Sequence, residues 1–384
     1  MTEWIECKLS DLGEIVGGAT PSTKDYSNYD GDIAWLTPKD LSSFSERYIE
    51  KGERSISEKG FKSCSTKMLP INSILFSSRA PIGYVAIAAK ELCTNQGFKS
   101  IIPNSKVDYM FLYYLLKYKK KVIEGLGSGT TFKEVSGNVM KNVMVYIPKD
   151  KVVQKKIAGI LDKIDCKIEN NNNINRNLSE QAMTLYKAMI LDALEECSEG
   201  VLSDIADIVM GQSPKGDTYN EDGAGAVFYQ GRAEFGERFP TRRLFTTSPK
   251  RMAKENSVLM SVRAPVGDVN VAYEECCIGR GLCSVASKDN HQSFILYTMY
   301  SLKDKFDVYN GEGTIFGSIN KDSMNCMTIQ IPNKKLMDRF EEIVSPMDAI
   351  IKANYDENCR LIAVRDSLLP KLMSGELDVS ELDI

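Results

Sequence analysis

NSILFSSRAPIG stands at residues 72–83 and NSVLMSVRAPVG at residues 256–267. Eight of the twelve positions are identical, and the copies lie 184 residues apart in a chain of 384. A solenoid repeat has a period of about 20–50 residues. A period this long is instead the duplication of a whole domain, and that reading decides the fold.

Further matches follow in order on both sides. LSDLGEIVGGATP (9–21) answers LSDIADIVMGQSP (202–214) at an offset of 193, and IAWLTPKDL (33–41) answers AVFYQGRAEF (226–235) more weakly. Beyond the opening pair, ELCTNQGFKSI (91–101) answers ECCIGRGLCSV (275–285), and GSGTTFKEVSGNVMKNVMVYIP (127–148) answers GEGTIFGSINKDSMNCMTIQIP (311–332), both at 184. The change of offset places a shorter segment in the second copy, between residues 235 and 256.

Each copy ends in a long helical pattern. Ile157, Ile160, Ile164, Ile168, Ile174, Leu178, Leu185 and Met189 recur at helical spacing, and so do Phe340, Ile343, Met347, Ile350, Leu361, Val364, Leu368 and Leu372, at an offset of 183. Such spacing draws one apolar stripe along a helix. Asn171 and Asn175 interrupt the first stripe, Asn354 and Asn358 the second. A buried Asn fixes register in paired helices at a cost in stability. The run of four asparagines at 170–173 is a poor helix former and is expected to loosen its turn.

The globular parts mix signals. SILFSS, YVAIAA, VMVYIP, SVLMSV, VNVAY and MTIQIP read as short strands, and residues 109–126 and 293–306 as helices. The fold class is therefore α+β or mixed: two pseudo-repeated globular domains joined by two long helices. The boundaries expected are 1–150 for the first domain, 151–196 for the first helical spacer, 197–333 for the second domain, and 334–384 for the second spacer and tail.

Composition fits a folded soluble chain, with 43% hydrophobic and 26% charged residues. No apolar run approaches the roughly 20 residues of a membrane helix, and the N-terminus MTEWIECKLSDLGEIV carries acids where a secretory signal carries bases. The expected location is the cytoplasm. The ten cysteines are scattered, with no C-x-x-C, and read as reduced thiols. With a single histidine, His291, and no ligand-like spacing, no metal is expected. The net charge of −4 alone argues against nucleic acid, but it is unevenly placed. Residues 1–150 carry 20 basic against 17 acidic side chains, whereas residues 334–384 carry 7 against 11. A near-neutral domain can still present a basic face.

The ordered duplication resembles the specificity (S) subunit of type I restriction–modification systems. The residues that carry the resemblance are LSDLGEIVGGATP, SRAPIG, GTTFKEVSG with the YIP that follows, QKKIAGILDKID, and LLPKLMSGELDV near the C-terminus, most of them repeated. It covers essentially the whole chain. The resemblance implies that each globular part is a target recognition domain reading one half of a split DNA sequence. It implies that the helices pack antiparallel as a coiled-coil spacer. Two methyltransferase (M) subunits are the implied partners, with restriction (R) subunits as optional further members. The M subunits bring S-adenosylmethionine and methylate adenine at N6, so the chain itself is expected to be no enzyme and to hold no cofactor. A helix over residues 157–189 spans roughly 50 Å at 1.5 Å per residue, enough to serve half-sites about one DNA turn, ~34–36 Å, apart.

Base-reading residues belong where the copies diverge. In the first domain these are Lys39, Asp40, Arg47, Lys51 and Arg54, with Gln96 and Lys99 in TNQGFK. In the second they are Gln230, Arg232, Arg238, Arg242 and Arg243, with Arg280 matching Gln96. Arg and Gln read guanine and adenine edges, while Lys more often holds phosphate. For any one of them a solvated charge is the simpler reading; as a set they form the candidate DNA face. Arg79 and Arg263 recur in both copies, which favours structural pairing over base reading, with phosphate contact as the sharper alternative. The glycine-rich loops GLGSGT (125–130) and NGEGT (310–314) lack the GK[ST] of a P-loop. They read first as turns, with Thr130, Thr131 and Lys133 as phosphate-contact candidates. KYKKK (117–121) is a solvated helix face or a phosphate clamp.

Two other classes stay open. One is an S-adenosylmethionine-dependent enzyme using the glycine-rich loops. Against it, there is no [DNS]-P-P-[FYW] motif, since none of the 13 prolines are adjacent. The other is a coiled-coil assembly scaffold without DNA specificity.

Overall fold

The computed structural model describes residues 2–382 except 43, 80, 130–132, 193–195 and 311–316. The chain divides into two compact units, Met1–Asn172 with Asp356–Ile384, and Asn173–Tyr355. Each unit holds one globular domain and a stretch of both long helices, Lys151–Asp192 and Lys334–Ser374.

In the first unit a five-stranded sheet has the order Gly13–Gly17, Lys99–Pro103, Ile74–Phe76, Val85–Ala88, Tyr48–Ile49. A three-stranded sheet, Ser55–Ile56, Tyr29–Leu36, Cys93–Thr94, lies outside it, and an antiparallel ribbon joins Trp4–Lys8 to Met144–Pro148. The second unit repeats the plan. Its four-stranded sheet runs Ala206–Met210, Leu282–Ser287, Val258–Ser261, Val269–Val271, and its ribbon joins Cys197–Val201 to Thr328–Pro332. All six strands read from the sequence are present, and the two domain helices are Tyr109–Gly125 and Gln292–Ser301 followed by Lys303–Asp307. The α+β plan is confirmed.

Each sheet buries its helix-facing side. Ile74, Phe76, Ile101, Phe111 and Leu115 form the first core with Ile157, Leu161 and Leu372 of the long helices. Val258, Met260, Val285, Phe294 and Tyr297 form the second with Phe340, Val344 and Ile351. Complete burial of one such side chain stabilises by about 1.5–3 kcal/mol, so each globular domain is welded to the helix stretch in its own unit. The first domain helix is capped by Asp108, whose carboxylate accepts from the Met110 and Phe111 amides at 3.0 and 3.1 Å. At the corresponding cap of the second domain helix stands His291, which makes no cap bond with its side chain. There Glu341 of the long helix accepts from the Ser293 and Phe294 amides at 3.1 and 3.2 Å instead. One carboxylate per helix N-terminus is kept, supplied from a different place in the chain. Burial pushes the Glu341 carboxyl up, against the pull of those amides.

The helices exceed the expected 157–189 at both ends, and the first runs unbroken through residues 170–173. Partners across the helix pair explain this. In the first unit Asn171 donates to Asn358 at 2.9 Å and to Glu357 at 2.7 Å, and Asn358 donates to Asn172 at 2.7 Å. In the second, Asn354 donates to Asn175 at 2.8 Å. Tertiary hydrogen bonds offset the weak propensity of asparagine. Within the first unit the paired helix stretches are antiparallel, since Asp165 meets Arg365 while Asn171 meets Asn358.

Candidate nucleic-acid interface

The described residues of the repeated stretch make the same turn in both copies. Asn72 and Asn256 take positive φ, 66° and 64°, and so do Gly83 and Gly267, 94° and 89°. The Ser77 hydroxyl donates to the Pro81 carbonyl at 2.8 Å and accepts from the Tyr84 amide at 2.8 Å. Ser261 does the same with Pro265 and Asp268 at 2.7 and 2.9 Å. The stretch is a strand running into a braced turn, which is why it recurs.

That turn is one corner of a frame of loops. In the first unit Ala19 N donates to Thr94 O (3.1 Å), Asn95 N to Leu36 O (2.8 Å), Ser78 N to Gly97 O (2.7 Å) and Val135 N to Ser78 O (2.9 Å). In the second, the equivalents are Gln212 N to Ile278 O (2.9 Å), Gly279 N to Tyr229 O (2.8 Å), Val262 N to Gly281 O (2.9 Å) and Ile319 N to Val262 O (3.1 Å). A Cβ on Gly18 would overlap the Thr94 carbonyl, and one on Gly211 the Gly279 carbonyl, so both backbones cross at a glycine.

The frame gathers side chains that are far apart in sequence. In the first unit Gln96, exposed, bonds Thr20. Lys99 reaches Ser78, the Gln96 carbonyl and Glu134 at 3.4–3.5 Å, and Arg79 shares Glu134 at 3.7 Å. Lys133, exposed, adjoins Glu134. Lys39 and Asp40 follow the Leu36 strand end. Asp40 is occupied as a cap, accepting from the Thr37 and Glu53 amides at 2.6 and 2.7 Å. Lys39 is exposed and pairs with Glu53 at 2.8 Å, whose hydrogen bond and charge raise its pKa. Arg54 lies over the Tyr29 ring at 4.1 Å, and the Tyr29 hydroxyl donates to Pro21 in the same loop that holds Thr20. Thr130 and Thr131 lie outside the described residues.

The second frame carries Gln230, Arg232, Arg263 and Arg280, all exposed. The Arg280 amide donates to Ser213 at 3.2 Å, and Arg232 pairs with Asp268. The Arg79 and Glu134 backbones pair as an isolated β-bridge and so do those of Arg263 and Ser318, so the second copy has a serine where the first has the carboxylate. Arg242 and Arg243 stand apart from the frame: Arg242 pairs with Glu274 at 2.5 Å over Tyr273, and Arg243 with Glu234 at 2.7 Å. Arg and Gln tips of this kind offer bidentate donors and acceptors to base edges, and the lysines point charges to phosphate.

Two candidates lie elsewhere. Arg47 is 5% exposed and faces the first long helix, bonding Glu169 (2.8 and 2.7 Å), Asp162 and Cys166. Arg238 is 9% exposed and bonds Asp348 of the second. They are equivalents: the Arg47 carbonyl accepts from Ile87 and the Arg238 carbonyl from Val271, positions 184 apart in the repeat. Tyr114 donates to Asp165 at 2.9 Å and Tyr297 to Asp348 at 3.2 Å in the same places. Both arginines fasten a domain to a helix, a role that polar sequence context did not reveal, although Tyr114, Tyr297, Asp165 and Asp348 keep the 183-residue offset. KYKKK is mostly engaged: Lys117 lies 5.2 Å from the Tyr113 ring centre, with its pKa lowered by burial, and Lys119 and Lys120 lie over Tyr118 and Tyr84.

Among the described residues no group of three or more His, Cys, Asp or Glu could hold a metal, and no helix is long and apolar enough to cross a membrane. A family model for the type I restriction modification DNA specificity domain matches residues 1–180 and again 195–359. The type I restriction enzyme MjaIX specificity subunit of Methanocaldococcus jannaschii is 32% identical over 99% of this chain and 95% of its own. The type I restriction enzyme HindI specificity subunit of Haemophilus influenzae is 30% identical over 42% of this chain and 36% of its own. The crystal structure of a type I restriction–modification S subunit from M. genitalium covers 97% of this chain and 96% of its own at a TM-score of 0.60 and 18% identity.

Proposed function

The chain belongs to the type I restriction–modification DNA specificity family, whose members are non-catalytic specificity subunits, and from that premise we propose that it reads a split DNA target, one half per globular domain. The observation that carries this reading is the doubled frame: the same four backbone bonds support Gln96, Lys99 and Arg79 in one domain and Gln230, Arg280 and Arg263 in the other. A shared frame with different tips is what two readers of different half-sites require. In this proposal Gln96, Gln230, Arg232 and Arg280 read base edges. Lys39, Arg54, Lys99, Lys133, Arg79 and Arg263 hold phosphate, and Asp40 shapes its loop. Arg242 and Arg243 flank the second reader. Arg47 and Arg238 serve as fasteners.

The chain then directs two M subunits, docked along the long helices, to methylate adenine at N6, with R subunits joining for cleavage. It works in the cytoplasm, where its DNA is. Exchanging residues 200–333 for those of a relative tests the division of labour. One half-site is expected to change and the other to stay; a change in both halves, or in neither, rejects it. At finer grain, Arg280→Ala should relax one position of one half-site by about 1–3 kcal/mol, while Lys133→Ala weakens binding to all sequences alike and lowers the salt slope by about 1. A uniform effect of Arg280→Ala would remove it from the reading set.

A further inference from the structure

The duplication provides an internal control for a groove between the two long helices. In the first unit the second long helix ends at Ser374, and the chain turns at Gly375, φ 78°. The Leu377 amide then donates to the Lys371 carbonyl at 3.1 Å, and Lys156 of the first long helix donates to the Ser380 carbonyl at 2.7 Å. The tail therefore crosses from one helix to the other. Between these two anchors Val379 is buried, in the same core as Val153 and Leu372 of the helices. Around it the tail is acidic, with Glu376, Asp378 and Glu381 exposed.

The second unit carries the same helix faces without the tail. Val153, Lys156, Ile160, Leu368 and Leu372 correspond to Leu336, Arg339, Ile343, Leu185 and Met189, each 183 residues away. In the second unit these residues line a groove of about 280 Å³. Past the first long helix the chain goes on into the strand Cys197–Val201. The Glu196 carbonyl accepts from the Asn333 amide at 3.1 Å, as the Glu3 carbonyl accepts from the Lys149 amide at 3.0 Å. Glu196 thus stands in the place of Glu3, and among the described residues nothing stands in the place of Val379. The walls agree: Leu185 and Ile343 are exposed where Leu368 and Ile160 are half-buried, and Met189 and Leu336 are half-buried where Leu372 and Val153 are buried. Among the described residues Arg339 is the one charged side chain in the lining. It is exposed and makes no ion pair with a described residue.

We propose that this groove docks an extended segment of a partner protein with the chemistry of the chain's own tail, one branched aliphatic side chain between carboxylates. The aliphatic side chain fills the space between the helices, as Val379 does in the first unit. Arg339 takes a backbone carbonyl or a flanking carboxylate of the segment, where Lys156 takes the Ser380 carbonyl. An apolar groove with a lone cation at its edge selects such a segment over a basic one. A second copy of this chain is the poorer occupant, since it supplies its tail only by emptying its own first groove.

The test is titration of the purified full chain with a fluorescein-labelled peptide of residues 375–384, read by anisotropy and calorimetry. One peptide bound saturably per chain is expected, since the chain's own tail holds the first groove. The same peptide carrying Val379→Asp should not bind. In the chain, Ile343→Glu should abolish binding and Arg339→Glu should weaken it about tenfold, both with Tm unchanged because the two side chains are exposed. A chain ending at Ser374 should bind two peptides, and should it fail to fold, the two point variants still decide. No binding by the wild-type chain overturns the proposal. So does binding that Ile343→Glu leaves intact, which would place the peptide in the first groove. Self-association of the chain in sedimentation velocity, lost on removal of residues 375–384, would make the occupant a second copy and overturn it as well.

Discussion

Arg47 puts a permanent charge where water scarcely reaches, so its removal strands Asp162 and Glu169 at the domain–helix junction. Those acids are 35% and 24% exposed, which tempers the penalty. Arg47→Ala should cost about 2–3 kcal/mol, below the ~3–5 kcal/mol of a fully buried pair. Lys39→Ala should stay within about 0.5 kcal/mol, because Lys39 is 78% exposed. Denaturant unfolding of both variants checks this, and equal effects would show that Arg47 is not the fastener described. The thiols give a second residue-level prediction. Burial pushes Cys93 up to about 11 and Cys276 and Cys283 up to about 12, so their reactive thiolates are scarce at neutral pH. Cys166, Cys326 and Cys359 are exposed. Maleimide labelling of the native chain with peptide mapping should mark those three and spare Cys93, Cys276 and Cys283 until denaturant is added. Rapid native labelling of Cys276 or Cys283 would contradict the packing of that sheet. At this scale the sequence was least legible. Arg47 and Arg238 sit in polar, divergent stretches and read like DNA contacts, because their partners lie more than a hundred residues away.

The helix pair shows what the element scale adds. The spacing of apolar residues revealed both helices, and the asparagines within the stripes marked their polar layer. Residues 170–173 read as a weak point, however, since propensity sees one strand of a two-stranded object. With Asn358 and Glu357 opposite, both N–H groups of the Asn171 amide find acceptors and the helix continues. Asn358→Leu alone should destabilise by about 1–3 kcal/mol, because one N–H of the buried Asn171 amide loses its acceptor and Asn172 loses its donor. The double change Asn171→Leu with Asn358→Leu should recover most of that loss. Strict additivity of the two single changes in a double-mutant cycle would mean that the layer is not coupled. The cap exchange between Asp108 and Glu341 teaches the same lesson: a pairwise requirement was kept while the residue meeting it moved.

Taken whole, the molecule repeats its frame and varies its tips. NSILFSSRAPIG recurs because a strand, an asparagine at positive φ and a serine-braced turn are needed at the same corner of both domains. The order of the matches was enough to read the α+β plan, the duplication and the two helices. It could not assign which polar side chains share a surface, since that depends on loops brought together by backbone bonds between distant segments. The central claim, that the two domains together specify a split target for adenine methylation, is tested most directly in cells. Long-read sequencing of DNA from adenine-methylation-free cells expressing this chain with its M subunit, against cells expressing the M subunit alone, reads methyladenine at every site. The account predicts a two-part methyladenine motif present only when both chains are expressed. No new motif, with both chains expressed and associated, would contradict it.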